Sequence, residues 1–170
     1  MVLYRRIQNH LTQRNIMPQH IIAMGGGGNT KSMLALWRNW GIDSVLKQAM
    51  ENGTVLVGIS AGAICWFEQC VTDSMLPLIT IPGLGWLKGS GCPHYDGEAD
   101  RRPAVHKMLE AGVLIPGIAL DNSAAAHYID GELHQVVTSI PTAGAYHVAV
   151  QDGKAIETPL DTVYLGAKGS

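Results

Sequence analysis

The chain has 170 residues with 46% hydrophobic and 15% charged side chains, enough for a single domain with a buried core and too apolar for a disordered chain. A formal net charge of −2 and a pI near 6.4, with no basic stripe, argue against a nucleic-acid partner. The longest apolar runs, such as 113–120, fall well short of the roughly 18 residues that cross a bilayer, and the first residues lack the long apolar core of a signal peptide. The expectation is a cytoplasmic protein without membrane contact.

Residues 1–20 carry Leu3, Ile7 and Leu11 at helical spacing and read as a short N-terminal helical segment ahead of the main domain at 21–170. Residues 20–24 (HIIAM) form a short buried-type strand running into Gly25-Gly26-Gly27-Gly28-Asn29-Thr30. Asn29 or Thr30 is placed to cap a helix over 31–40, with Met33, Leu36, Trp37 and Trp40 at helical spacing and Gly41 as its stop. A second helix covers 43–51, with Asp43 as its cap. Residues 54–59 (TVLVGI) are apolar on both faces, as a strand inside a parallel sheet requires. Ser60 follows, and AGAICWFEQC reads as a helix. Two strand–turn–helix units in succession indicate an α/β fold with a mostly parallel sheet between flanking helices, three layers in all. Beyond Val71 the predicted elements are a helix at 102–111, entered through Pro103, and strands at 117–120, 125–129 and 133–138. The last two are joined by an Asp130-Gly131 hairpin turn, and Asp152-Gly153 marks a second turn in the C-terminal β region.

The sharpest chemical feature is Gly58-Ile59-Ser60-Ala61-Gly62, a G-x-S-x-G run between a predicted strand and a predicted helix. That context is what a nucleophile elbow needs: glycines permit the sharp turn, and the helix N-terminus aims N–H groups at developing negative charge. The alternative is a small-residue turn packing helix on strand. A serine nucleophile needs a base. His94 stands apart from the other histidines because it lies in a loop, Gly91-Cys92-Pro93-His94-Tyr95-Asp96, rather than on a predicted helix or strand. The glycine run lacks the spacing of a P-loop or of G-x-G-x-x-G, and a better use for it is to expose an N–H for an oxyanion hole, the second donor coming from Ala61. Cys65, Cys70 and Cys92 lack metal-ligand spacing and read as reduced structural thiols; no metal or cofactor is expected.

GGGGNT, then GISAGA about thirty residues later, then CPHYDGE and a helix entered through DRRP, resemble the peptidase E (aspartyl dipeptidase) family of serine peptidases, related to cyanophycinases. The resemblance runs from about residue 21 to the C-terminus. It implies Ser60 as nucleophile, His94 as general base, and Gly28 and Ala61 as oxyanion-hole amides, acting on short peptides. It also implies an acid between serine and histidine, for which Asp73 in Thr72-Asp73-Ser74-Met75 is the candidate after a one-residue shift. Glu68 is a rival, but on a continuing helix it would lie about 12 Å beyond Ser60; Asp96 and Asp121 are further candidates. Asn29 and Arg101 are the candidate substrate contacts. Family aspartyl dipeptidases bind an N-terminal aspartate through an arginine after the histidine; Arg101 either fills that role or pairs with Glu98 or Asp100. In the family, two or more βα units precede the glycine strand. The domain expected here is short at its N-terminal side, with a sheet edge left exposed unless the remaining core closes differently or a second copy of the chain covers it. Two other functions share these motifs: a general esterase or acyltransferase, and a truncated non-catalytic remnant acting as an interaction protein.

Overall fold

The computed structural model describes residues 1–5, 20–25 and 28–166. Among them, the chain order is β1 (Val2–Arg5), β2 (Ile21–Met24), α1 (Thr30–Trp40), α2 (Ile42–Glu51), β3 (Val55–Gly58), α3 (Ala61–Ile64), β4 (Phe67–Thr72), β5 (Ile79–Pro82), β6 (Leu87–Cys92) and α4 (Arg101–Glu110). There follow β7 (Gly117–Leu120), β8 (Ala124–Ile129), β9 (Glu132–Thr138), β10 (Ala145–Gln151), β11 (Lys154–Pro159) and β12 (Thr162–Tyr164).

The strands form two six-stranded sheets, ordered β12-β9-β8-β1-β3-β2 and β11-β10-β7-β6-β4-β5. The α/β reading stands, and parallel pairing joins β2 to β3, β4 to β6 and β6 to β7. The sheets are nonetheless mixed. The Asp130-Gly131 and Asp152-Gly153 turns, with positive φ at both central residues, fold β8 onto β9 and β10 onto β11 as antiparallel hairpins.

One core lies between the sheets, where Val2, Leu56, Phe67, Leu87, Leu120 and Val136 meet Leu34 and Trp37 of α1 and Leu46 and Met50 of α2. Trp66 stacks on Trp86 with centroids 5.4 Å apart. A second core lies on the far face of the second sheet, where Val105 and Leu109 of α4 cover Val71, Cys92 and Val148. Period-2 alternation divides β7 between them: Ile118 and Leu120 face the first core and Ala119 the second.

Two elements differ from the sequence reading. Val2–Arg5 is a strand rather than the start of a helix, because Val2 is fully buried and the segment is paired on both sides, antiparallel to β3 and parallel to β8. The rest of the expected N-terminal helix, 6–19, lies outside the described residues. The helix expected after Ser60 stops at Ile64, and Phe67–Thr72 is a strand: Phe67, Val71 and Thr72 are good β-formers, and sheet pairing on both sides satisfies their backbone. Helix α2 opens at Gly41 and carries Asp43 in its first turn, so Asp43 is not its cap.

Candidate active site

The parallel pairing of β2 with β3, which sets Met24 opposite Gly58, brings Gly25 and the serine turn to one rim of the first sheet. The Ile59 N–H donates to the Met24 carbonyl at 3.2 Å. Ser60 has φ 54° and ψ −118°, a backbone state that costs about 1–3 kcal/mol and persists only where its surroundings enforce it. The flanking glycines do so. A Cβ on residue 58 would stand 1.8 Å from the Gly62 carbonyl oxygen, and one on residue 62 would stand 2.6 Å from that of Met24. The strand and the short helix can approach this closely only without side chains, and the turn between them pushes Ser60 outward. Ala61 opens α3, so its N–H has no acceptor four residues back within the helix.

His94 follows β6 after Pro93 and also has positive φ, 54°. Its Nε2 is 3.0 Å from Ser60 Oγ, and its Nδ1 is 2.6 Å from Asn122 Oδ1. An amide oxygen only accepts, so Nδ1 carries the proton and Nε2 presents its lone pair to the serine hydroxyl. Two short segments hold this geometry against each other. Tyr95 N–H donates to the Leu120 carbonyl at 3.0 Å, and Asn122 N–H donates to Asp96 Oδ1 at 2.6 Å. Gly97 packs under the amide, where a Cβ would lie 2.4 Å from Asn122 Nδ2. A small cavity of about 90 Å³ opens over Ser60, His94, Asp121 and Asn122.

The constellation is a hydroxyl poised on an imidazole whose tautomer is fixed from behind, on a strand–turn–helix scaffold. A profile of peptidase family S51 matches residues 4–136. The chain belongs to peptidase family S51. A relative in Bacillus subtilis (strain 168), "Uncharacterized peptidase YgaJ", is 50% identical over 151 residues, 89% of this chain. The chain spans 65% of that relative's length. The S51 match takes in Ser60, His94 and Asn122 alike, and it agrees with the peptidase E resemblance of the GGGGNT, GISAGA and CPHYDGE motifs.

Of the residues singled out from the sequence of this S51 chain, Ser60 and His94 come together, with Ala61 beside them. Gly28 is exposed, with open space where a Cβ would project. Asp73 is not behind the imidazole; Asn122 occupies that place. The segment containing Asp73 docks instead on the start of α1: Thr72 Oγ1 is 3.1 Å from Thr30 Oγ1, and Asn29 Nδ2 donates to the Ser74 carbonyl at 2.8 Å. Asp73 therefore points outward, 61% exposed and 3.7 Å from Arg101. Glu68, on β4 rather than a helix, accepts from the Gly89 N–H at 2.8 Å and pairs with Lys88, which hold its carboxyl below the usual range.

Asp96 and Asp121 both flank Asn122 without touching the imidazole. Asp121 Oδ2 accepts from the Gly144 N–H at 3.0 Å; burial, assisted by the nearby Asp96 charge, pushes its carboxyl above the ordinary aspartate value. Arg101 is buried, and its guanidinium forks onto Glu98 at 2.9–3.2 Å, so of the two roles open to it the internal pair is the one formed. Asn29 is likewise engaged at both ends, its Oδ1 capping α1 at the Ser32 N–H (2.9 Å).

Asn122 is not an acid of the kind the resemblance implies, but its neutral amide oxygen also accepts from Nδ1. Its signal is positional: Asp-Asn-Ser follows β7 at the carboxyl end of a strand parallel to β6, where the histidine loop also begins. The three cysteines are free and buried, and burial raises Cys70 and Cys92 to about 12. Among the described residues, no group of three or more His, Cys, Asp or Glu side chains is placed to hold a metal ion, and no helix is long and apolar enough to cross a membrane.

Proposed function

We propose that the chain is a serine peptidase acting on short peptides, with Ser60 as nucleophile, His94 as general base and Asn122 as the residue that orients it. The observation that carries this reading is the 3.0 Å contact between Ser60 Oγ and His94 Nε2 on a positive-φ elbow. In the reaction, His94 Nε2 takes the hydroxyl proton as Oγ bonds to the peptide carbonyl carbon. The carbonyl oxygen gains charge facing the Ala61 N–H, with Gly28 the second donor. His94 then returns the proton to the leaving amine, and a water activated by the same nitrogen hydrolyses the acyl-enzyme. Throughout, Asn122 Oδ1 holds the Nδ1 proton. As a neutral group it orients the imidazolium but offers it a dipole instead of a full charge.

The preference for an N-terminal acidic residue that the resemblance attaches to Arg101 has no free guanidinium to carry it, so it is not part of this proposal. Three free buried thiols fit a reducing compartment such as the cytoplasm. An inert remnant would leave Ser60 and His94 beyond hydrogen-bond reach with no acid behind the imidazole; their contact speaks against that reading, while the neutral Asn122 stands where the acid would be. The esterase reading shares the elbow and is separated from this one by substrate: hydrolysis of simple esters with no cleavage of dipeptides would favour it. The direct test is a fluorophosphonate probe, which should label the folded protein at Ser60 and leave Ser60→Ala unlabelled; an unlabelled folded wild type would remove the proposal.

A further inference from the structure

Beside the catalytic cavity lies a larger one, about 300 Å³, at the low end of the range for small-molecule sites. The two share a wall: Met1, Ile59, Ser123 and Ala124 line both. Ile59 immediately precedes the nucleophile and is 54% exposed, so a group leaving the serine along this wall passes directly from one cavity into the other. The far side of the larger cavity is formed by Val137 and Leu165, and Leu165 is fixed through its N–H to the Thr138 carbonyl at 2.8 Å.

Two of the polar groups at its surface already have partners, and the Ser123 and Ser139 hydroxyls are the others. Thr138 Oγ1 bonds to the Ser123 and Ile140 carbonyls at 3.2 and 2.8 Å, and the Met1 amine donates to the Ala124 carbonyl at 2.7 Å. No Lys, Arg, Asp or Glu side chain lines it. Apart from the Ser123, Thr138 and Ser139 hydroxyls and the Met1 amine, the surface is formed by Ile59, Ala124, Ala125, Val137 and Leu165, and it is continuous with the serine.

We propose that this cavity is a binding subsite for an uncharged apolar side chain of the peptide, the one adjoining the carbonyl held at Ser60, and that Val137 and Leu165 determine the preference. The subsite rests on the peptidase reading above and deepens it by naming the substrate class: peptides with a Leu- or Phe-like residue at the scissile bond rather than an acidic one. A charged side chain entering this cavity would lose its water and find no Lys or Arg; the Met1 amine at the wall already donates to the Ala124 carbonyl, and burial lowers its pKa to about 6.

The test separates binding from chemistry. Ser60→Ala protein, which forms no acyl-enzyme, is titrated calorimetrically with Leu-Leu, Ala-Ala and Asp-Asp dipeptides. Leu-Leu should bind about tenfold or more tightly than Ala-Ala, the scale that a few added apolar carbons supply in such a pocket, and Asp-Asp more weakly still. Leu165→Asp, at a position 64% exposed and therefore tolerant of the change, should abolish the Leu-Leu advantage; Val137→Ala should reduce it. Equal affinities, tighter binding of Asp-Asp, no binding of any dipeptide, or an unchanged preference in Leu165→Asp overturns the subsite. If the peptidase reading alone fails, the wild type stays unlabelled by fluorophosphonate while the dipeptide preference survives. If the subsite alone fails, Ser60 is labelled and the preference is absent.

Discussion

At the scale of single residues, the proposed chemistry depends on which nitrogen of His94 carries the proton, and Asn122 decides that. Removing its amide in Asn122→Ala lets the imidazole turn and change tautomer, which should lower kcat or the rate of fluorophosphonate labelling by about a hundredfold or more. Asn122→Asp keeps an acceptor behind Nδ1 and should stay within about tenfold of the wild type. Equal losses in both variants would show that Asn122 acts only as packing.

Neighbouring Asp121 makes a separate prediction. Its folded-state pKa is raised, chiefly by burial, so the native state holds the proton more tightly than the unfolded chain does. Stability from this group is therefore present below the ordinary aspartate value, about 4, and is lost as pH rises through the folded value. Asp121→Asn cannot ionise and retains an acceptor for the Gly144 N–H. It should raise Tm near pH 7, with the gain vanishing in acid; a gain of equal size at both pH values, or a lower Tm at pH 7, would contradict this assignment. Ser60 is legible in the sequence because its surroundings are local, a strand–turn–helix run, and His94 through the resemblance that its CPHYDGE loop carries. Asn122 is not, because its partnership with His94 spans 28 positions and exists only once β6 and β7 lie side by side.

At the scale of elements, residues 28–31 and 72–75 form a knot. Asn29 caps α1 and ties Ser74, Lys31 N–H donates to Ser74 Oγ at 3.1 Å, and Thr72 reaches Thr30. This knot is why a Thr-Asp-Ser-Met run that resembles a catalytic segment serves here as a strut. Asn29→Ala should lower stability by about 1–2 kcal/mol through the lost cap, read as a shift in the urea midpoint, while KM for a peptide substrate stays near wild type; a raised KM at unchanged stability would restore Asn29 as a substrate contact.

A second knot stands behind the histidine loop. Glu157 of β11 accepts from Tyr95, next to His94, and meets His106 (2.6 Å) and Arg102 (3.1 Å) of α4, with the Arg102 guanidinium 4.6 Å from the Tyr95 ring centroid. Most element types were readable because their signals are local: the Asn29 cap, the αL Gly41 and the Asp-Gly hairpins. Val2–Arg5 and Phe67–Thr72 were misread because partners distant in sequence decide their state, and an i, i+4 pattern carries no information about such partners.

At the scale of the whole molecule, β2 ends its sheet among the described residues. Ile21 is 60% exposed there, and Trp40 on α1 is 72% exposed. We propose that this edge, which no described residue pairs with, is where a second copy of the chain associates. Sedimentation velocity should show a concentration-dependent dimer that Ile21→Lys weakens; a monomer at all concentrations would exclude this edge as an interface. Length takes on a different weight at this scale. The 170 residues suffice for two cores and a paired serine and histidine, although the chain spans 65% of its Bacillus relative. Whether that assembled pair is reactive is the central matter. Fluorophosphonate labelling followed by peptide mass mapping answers it most directly. The expected result is one adduct, on Ser60, lost in Ser60→Ala and strongly slowed in His94→Ala; a folded wild type that takes up no probe, or takes it up elsewhere, would contradict the account.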